Sequence, residues 1–173
     1  MGFGRFTPEM DAVVLPLIKD KHVYDLGAGD CGHARWLARS GARLVTAVDK
    51  EKMPSRRNRK IHLVQDLFID LEIPDRIDVA FLAWPQNMRL LGLIDILRVA
   101  DRIIYLGSNM YGTACGWPAL FDYFTTREEL EYIEHSQNSL IVLGQPLETW
   151  RSPNAEEQAA LDMWRTPRFR GHS

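Results

Sequence analysis

Short apolar runs alternate along the chain with segments in which apolar residues recur every three or four positions. The runs predict β-strands at 22–26, 43–48, 61–64, 76–83, 103–106 and 139–143. The periodic segments predict a helix that begins at Pro8, helices at 33–40 and 88–99, and a broken or paired helix over 119–123 and 126–134. Strands that alternate with helices predict an α/β fold, a single-domain three-layer αβα sandwich around a mainly parallel sheet.

Local signals refine the boundaries of two predicted helices. Thr7 is a good N-cap and Pro8 suits the first turn of the first helix. Pro16 lacks a backbone N–H, so it predicts a kink or an early end of that helix. Thr126 and Glu129 have the spacing of a capping box, which favours a helix at that point of the chain.

The composition is that of one folded domain. The chain has 173 residues, of which 46% are apolar and 25% are charged, so we expect a packed domain over 1–150. A short helix near 154–164 and a basic tail make up a C-terminal region, 151–173. The formal net charge of −2 gives no overall electrostatic case for nucleic-acid binding, which must rest on local patches.

The two cysteines, Cys31 and Cys115, are too few for a disulfide framework, and no set of Cys and His has zinc spacing. We therefore expect reduced thiols, no metal and a cytoplasmic location. Cys115 has no identifiable neighbouring base, so a structural thiol is favoured over a nucleophile. No apolar stretch approaches the roughly 20 residues that a membrane span needs, and we expect no membrane partner.

A glycine-rich turn joins the first predicted strand to the second predicted helix. Gly27 and Gly29 remove side chains where the backbone bends sharply and a ligand comes close. The spacing to Gly32 also matches the dinucleotide fingerprint, which alone is a weak signal. Asp25 would repel an anionic pyrophosphate, so a carboxylate two residues before the first glycine favours a cationic ligand.

Asp25 followed by x-Gly27-x-Gly29 resembles the first motif of the class I S-adenosylmethionine-dependent methyltransferases. The resemblance implies S-adenosylmethionine as cofactor, with Asp25 near its amino-acid end. It also implies that Gly27, Ala28 and Gly29 border the sugar and methionine. Cys31 stands where many members of that family have a third glycine.

Two further features are interpreted through this resemblance. Phe6-Thr7-Pro8 looks like the N-terminal element of amino-group DNA methyltransferases, which implies that Phe6 and Thr7 close over the methionine part of the cofactor. Members of the family finish their sheet with a pair of strands, one of them antiparallel. This chain offers only one good candidate strand there, at 139–143, so we expect a trimmed pair.

Acids follow the second and third predicted strands. Asp49 lies at about the separation from the glycine turn at which an acid meets ribose hydroxyls, and with Lys50 it is a candidate cofactor contact. An ordinary acid at a strand end is the alternative. The resemblance implies that Asp66 bonds the adenine amino group and that Leu67 lies against the ring. For Asp66 a simple turn acid is almost equally supported.

The acceptor region is expected at the end of the fourth predicted strand, where α/β sheets place their chemistry. Amino-group methyltransferases have Asn or Asp, Pro, Pro and an aromatic residue here, whereas this chain has Ala83, Trp84, a proline and Gln86. Ala83 is then a candidate lining residue of the cofactor site. Trp84 is either a stacking surface for a flat substrate or a core tryptophan. Asn109 and Tyr111, in the long loop after the fifth strand, are candidate acceptor contacts.

Two other functions remain open at the level of sequence. One is a nicotinamide-dependent oxidoreductase that uses the same glycines, which Asp25 and the lack of a substrate domain disfavour. The other is a non-catalytic module that binds nucleic acid or protein through the C-terminal tail or through a basic run at 56–60, formed by Arg56, Arg57, Arg59 and Lys60. A solvated loop is the simpler interpretation of that run.

Overall fold

The computed structural model describes residues 6–54, 58–68, 70–85, 92–107, 129–135 and 138–144. Within these ranges the helices are α1 (Pro8–Ile18), α2 (Gly32–Arg39) and α3 (Leu93–Arg98). The strands are β1 (His22–Leu26), β2 (Leu44–Asp49), β3 (Ile61–Gln65), β4 (Val79–Ala83), β5 (Ile103–Gly107), β6 (Glu129–His135) and β7 (Asn138–Leu143). The predicted order of strands and helices is thus confirmed up to β5.

The described strands form one sheet in the order β3-β2-β1-β4-β5-β7-β6. Strands β1 to β5 pair in parallel, and β7 runs antiparallel to both β5 and β6. The chain order reverses between β1 and β4, and ligands of α/β sheets bind outside the carboxyl ends of the strands at such a switch point. The fold therefore directs attention to the edge where β1, β2 and β4 end, called here the carboxyl edge.

Two apolar layers cover the sheet and confirm the three-layer arrangement. On one face α1 and α2 pack against the strands through residues such as Met10, Val14 and Leu37, all buried. On the other face α3 packs through Leu93 and Ile96. The strands between two covered faces are apolar almost throughout, as the burial of every β4 residue before Ala83 illustrates.

Helix α1 begins as expected and ends later than expected. The hydroxyl of Thr7 accepts a hydrogen bond from the backbone N–H of Met10 at 3.2 Å, and Pro8 occupies the first turn. The helix continues past Pro16 to Ile18, so the predicted early end is wrong. Burial of Met10, Val14 and Ile18 on one face supports the helix beyond the proline.

The predicted helix over 126–134 is wrong. The part of it that the structure describes is a strand, β6, which forms an antiparallel hairpin with β7. The expectation of a trimmed strand pair is therefore also wrong. A capping box is a local signal, whereas this segment is held as a strand by its pairing with β7 from Glu129 to His135, with an irregular register between Glu129 and Glu131.

Several predictions lie outside the described residues. They are residues 88–91 of the helix predicted at 88–99, the helix predicted at 119–123, and the whole region 151–173. For the first of these, α3 begins at Leu93 within the described part of the chain.

Candidate functional site

The glycine turn has the backbone geometry that its sequence predicts. Gly27 and Gly29 have φ angles of +83° and +52°, in the region that favours glycine. The backbone N–H groups of Gly27 and Ala28 both donate to the carbonyl oxygen of Val48, at 2.8 and 3.0 Å. Cys31 is also left-handed, with φ +59°, and directly precedes α2. These bonds fasten the turn to the end of β2 and fix its shape.

The space in front of the turn is open. A Cβ atom added to Gly27 or to Gly29 would meet nothing within 4 Å, and both glycines are exposed. The absence of these side chains therefore relieves no clash with the protein's own atoms. It leaves a shallow cradle against which a ligand can lie on bare backbone.

Asp25 lies beneath the turn, 1% exposed. The backbone N–H of Ala34 donates to its carboxyl group, while its Oδ2 atom is buried without a hydrogen-bond partner in the described part of the chain. Burial raises the pKa of Asp25 to about 7, opposed by the Ala34 hydrogen bond and reinforced by the charges of Asp49 and Asp30. A cationic group placed beside Oδ2 would supply the missing partner and favour the charged carboxylate.

Asp49 joins the end of β2 to the glycine turn. Its Oδ2 accepts a hydrogen bond from the backbone N–H of Gly29 at 2.8 Å, and its Oδ1 accepts one from the N–H of Glu51 at 2.9 Å. The half-buried carboxylate keeps further lone pairs for ligand hydroxyls. Lys50 is exposed, and its ammonium lies 3.3 Å from Oε1 of Glu51.

Asp66 and Leu67 lie next to Asp49 on the same edge. The backbone N–H of Asp66 donates to the carbonyl oxygen of Asp49 at 3.0 Å, and Oδ1 of Asp66 accepts from the N–H of Leu67 at 2.9 Å. Leu67 is 41% exposed, and among the residues that the structure describes only Leu15 is a comparably exposed large apolar residue. An exposed leucine beside a carboxylate is a surface suited to a flat, partly polar ring.

Aromatic side chains cover the region beside Asp25. Asp25 and Phe81 are register partners in β1 and β4, so their side chains project to the same face of the sheet. The ring of Phe6 lies 5.9 Å from that of Phe81 and 4.5 Å from that of Trp36, and His33 lies 5.4 Å from Phe81. Phe6 thus packs against Trp36 and Phe81 on the face of the sheet to which Asp25 projects.

His33, Trp36 and Phe81 were not predicted as site residues. The sequence did contain a signal, because His33 and Trp36 are three positions apart at the start of α2 and share a helix face. Their approach to Phe6 depends on the packing of α1 and α2 on one face of the sheet, which periodicity alone does not give.

The end of β4 carries a strained residue. Trp84 has φ +51°, although it is not a glycine, and its backbone N–H donates to the carbonyl oxygen of Leu106 at 2.7 Å. Bulky residues adopt this conformation rarely, and such strain is concentrated at functional sites. Both Ala83 and Trp84 are half-buried at the carboxyl edge. Asn109, Tyr111 and Gln86 lie outside the described residues.

The described end of the basic run at 56–60 lies away from the carboxyl edge. Its described end, Lys60, precedes β3, and its ammonium donates to the carbonyl oxygen of Ala42 at 3.2 Å, at the opposite edge of the sheet. Arg56 and Arg57 lie outside the described residues. The described ranges contain no group of three or more potential metal ligands, and none of their helices has the length and apolarity of a membrane span.

No protein-family model and no curated protein matches the chain. Solved structures do match. The ribosomal protein L11 methylase of Lactobacillus delbrueckii subsp. bulgaricus superposes with a TM-score of 0.59 and 14% identity, covering 83% of this chain and 80% of that one. A rRNA methylase of Streptococcus thermophilus gives 0.57 and 14%, covering 84% and 99%.

A third match contains a bound nucleoside. The 1,6-didemethyltoxoflavin-N1-methyltransferase of Burkholderia thailandensis, with S-adenosylhomocysteine, gives a TM-score of 0.58 and 15% identity, covering 78% of this chain and 76% of that one. At such identities the likeness concerns the fold. The chain has the Rossmann-like fold of these methyltransferases, as the resemblance of its glycine motif implied.

Proposed function

We propose that this chain is an S-adenosylmethionine-dependent methyltransferase whose cofactor lies across the glycine turn. The observation that carries the proposal is the turn itself. Two glycines with positive φ present bare backbone to open space, between the buried carboxyl group of Asp25 and the carboxylate of Asp49. A cationic nucleoside complements such a cradle, because both flanking groups become negative and both can accept hydrogen bonds.

Different residues at the carboxyl edge bind different parts of the cofactor. Asp25 receives the ammonium group through its unpartnered Oδ2, and Asp49 accepts the ribose hydroxyls while holding the N–H of Gly29. Asp66 and the exposed Leu67 hold the adenine ring. The small residues Gly27, Ala28 and Ala83 leave room for the cofactor beneath it. Phe6 and Thr7 of the N-terminal segment cover its methionine part, and Lys50 is a further contact beside Asp49.

The chemistry requires alignment more than acid–base catalysis. When bound, the cofactor supplies an electrophilic methyl group on a positively charged sulfur. The protein's task is to hold that methyl carbon in line with the acceptor atom and to keep water away. Trp84, fixed at the end of β4 by the N–H bond to Leu106, is positioned to orient a flat acceptor. Asn109 and Tyr111 remain candidates for polar contacts to it.

Calorimetry with S-adenosylhomocysteine tests the proposal on two aspartate variants. Asp49 and Asp78 each accept a hydrogen bond from a backbone N–H, but they lie at opposite ends of the strands. Asp49→Ala removes the group that holds Gly29 and the ribose, so we expect affinity to fall about 100-fold, as for a lost charged hydrogen-bond set. Asp78→Ala removes the cap on the N–H of His22, 2.9 Å away at the other edge, and should leave affinity unchanged. No heat from the unmodified protein, or equal losses in both variants, would contradict the proposal.

A nicotinamide dinucleotide is the competing ligand for the same turn. The doubly wound dinucleotide fold has the strand order 3-2-1-4-5-6, whereas β7 lies here between β5 and β6 and runs antiparallel. Thermal unfolding separates the two ligands. We expect S-adenosylhomocysteine to raise Tm and a nicotinamide dinucleotide to leave it unchanged; the reverse result would select the oxidoreductase.

A further inference from the structure

Three turns meet at the edge of the sheet opposite the glycine turn, where β1, β2 and β3 begin. The backbone N–H of Asp20 donates to the carbonyl oxygen of Gly41 at 2.9 Å, and that of Arg43 donates to Lys21 at 2.9 Å. The N–H of Val45 donates to the carbonyl oxygen of Lys60 at 2.8 Å. These bonds bring segments that are far apart in sequence into one surface, called here the basic edge and formed by residues 19–21, 39–43 and 58–60.

The basic edge is rich in exposed cations. Its exposed basic residues are Lys19, Lys21, Arg39, Arg43, Arg59 and Lys60. The nearby carboxylates are Asp20, which is exposed, and Asp78, whose Oδ2 lies 3.7 Å from the guanidinium of Arg43 and accepts the N–H of His22. Cations therefore outnumber carboxylates here, although the chain as a whole is slightly acidic.

Aromatic rings adjoin these cations on the sheet face opposite α1 and α2. Tyr24, Thr46 and His62 are register partners across β1, β2 and β3, so they form a row on one face. His22 is stacked against Tyr24, with ring centroids 4.7 Å apart, and its Nε2 lies 2.8 Å from the hydroxyl of Thr46. His62 is exposed, while His22 and Tyr24 are half-buried.

Asp78 connects the rings to one of these cations, because its Oδ2 lies 3.7 Å from the guanidinium of Arg43 and accepts the backbone N–H of His22. The pKa of His22 is lowered first by burial and next by the positive charge of Arg43; the carboxylate of Asp78 opposes this shift, and His62 adds to it. The connection from Asp66 to Asp78 packs Phe68, Leu71 and Ile73 against the apolar layer on this face, and His62 is the exposed ring of the row. Cations beside accessible aromatic rings are the combination that binds unpaired nucleotides, through phosphates and stacked bases together.

We propose that the basic edge is a docking surface for single-stranded nucleic acid. Lys19, Lys21, Arg39 and Arg59 contact phosphates, and His62 with the His22–Tyr24 pair offers stacking positions for bases. Five-residue strands separate this surface from the glycine turn by about 17 Å. A nucleotide bound at the basic edge is therefore too far from the glycine turn to be the methyl acceptor, and it serves only to hold the nucleic acid on the protein.

Fluorescence anisotropy with a labelled single-stranded RNA 20-mer tests the docking surface in the full chain. We expect log affinity to fall linearly with log salt, and the combined variant Lys19→Gln, Lys21→Gln, Arg39→Gln, Arg59→Gln to flatten that slope by roughly 3, at about 0.7 per phosphate contact. His62→Ala should weaken binding about tenfold with the slope unchanged. Lys52→Gln removes an exposed cation outside the basic edge and should change neither quantity.

Several outcomes overturn the proposal. One is equal RNA affinity in the combined variant and in Lys52→Gln, with both folded by circular dichroism. Another is a lower Tm of the combined variant without loss of RNA binding, because the cations then serve only the C-termini of α1 and α2. Tighter binding to duplex RNA, polyglutamate or anionic vesicles would point to a different partner, and a matching DNA 20-mer distinguishes the two nucleic acids. The experiment involves no nucleoside cofactor, so its result is independent of the proposed methyl transfer.

Discussion

The two edges of the same sheet are built from similar parts and differ in charge and in openness. At the carboxyl edge, Asp25 and Asp49 flank two glycines whose missing side chains leave open space. At the basic edge, Gly41 also has a positive φ, +110°, but a Cβ there would lie against Lys19 at 4.0 Å. Left-handed glycine alone therefore does not indicate a ligand site; the space in front of it does.

The difference follows from the direction of the helices. Helices α1 and α2 both begin at the carboxyl edge and end at the basic edge, because each is followed by a parallel strand. Helix N-termini favour anions and C-termini favour cations. The acids of the first turn of α1 and Arg39 in the last turn of α2 fit this rule. Asp25 also fits it, because its carboxyl group accepts the backbone N–H of Ala34 in the first turn of α2. Asp49 instead accepts the N–H of Gly29 in the glycine turn, outside both helices.

The largest expected contrast between the edges is between two Gly→Ala variants. Both introduce backbone strain, about 1 kcal/mol at the φ of Gly29 and at least as much at that of Gly41. The new methyl group of Gly29→Ala also enters the cradle, so we expect the affinity for S-adenosylhomocysteine to fall about 100-fold or more. In Gly41→Ala it should stay within about twofold. Denaturant unfolding measures the loss of stability, and calorimetry measures the loss of affinity. Equal affinity losses in the two variants would contradict a ligand site at Gly29 that is absent at Gly41.

The next contrast concerns the stability of the unliganded protein. A carboxyl group whose folded pKa is raised stabilises the fold at low pH, and this contribution is lost as pH rises through about 7. The free energy of unfolding should therefore decline between about pH 4 and about pH 7 relative to Asp25→Asn, by roughly 3 kcal/mol. Asp78→Asn at the basic edge is the control. If the free energy of unfolding depends on pH in the same way in the unmodified protein and in Asp25→Asn, Asp25 does not take up a proton on folding.

The same carboxyl group should make ligand binding depend on pH. An ammonium group pairs with the ionised form of Asp25, so below about pH 7 the affinity for S-adenosylhomocysteine should fall about tenfold per pH unit. Asp25→Asn should bind more weakly at pH 8 and show a flatter profile. Calorimetry at pH 6, 7 and 8 measures this, and a profile unchanged by the substitution would place the ammonium elsewhere.

Much of the carboxyl edge could be predicted because its signals are local. The acid and glycines from Asp25 to Gly29 form one short motif, and Asp49 follows at a spacing set by a single helix and strand. The strand β6 could not be predicted in the same way, since its pairing with β7 competes with a local capping signal at Glu129. The burial of Asp25, which raises its pKa, likewise depends on how α2 packs on the sheet.

The basic edge was less predictable still. Only Arg59 and Lys60 belong to a visible run of basic residues, while Lys19, Lys21 and Arg43 are scattered along the sequence. Backbone hydrogen bonds between three turns bring them together. The row of Tyr24, Thr46 and His62 depends on the register of three strands. Neither the cluster of cations nor the row of side chains can be recognised from any single segment of the sequence.

Backbone amide shifts on titration with S-adenosylhomocysteine test the central claim most directly, because they report where the nucleoside binds. Heteronuclear NMR of the unmodified chain should show the resonances of Gly27, Ala28 and Gly29 moving with ligand concentration while that of Gly41 stays in place. If the amides of the turn do not respond, or if those around Gly41 respond instead, the open cradle is not the nucleoside site and the account of the carboxyl edge is wrong.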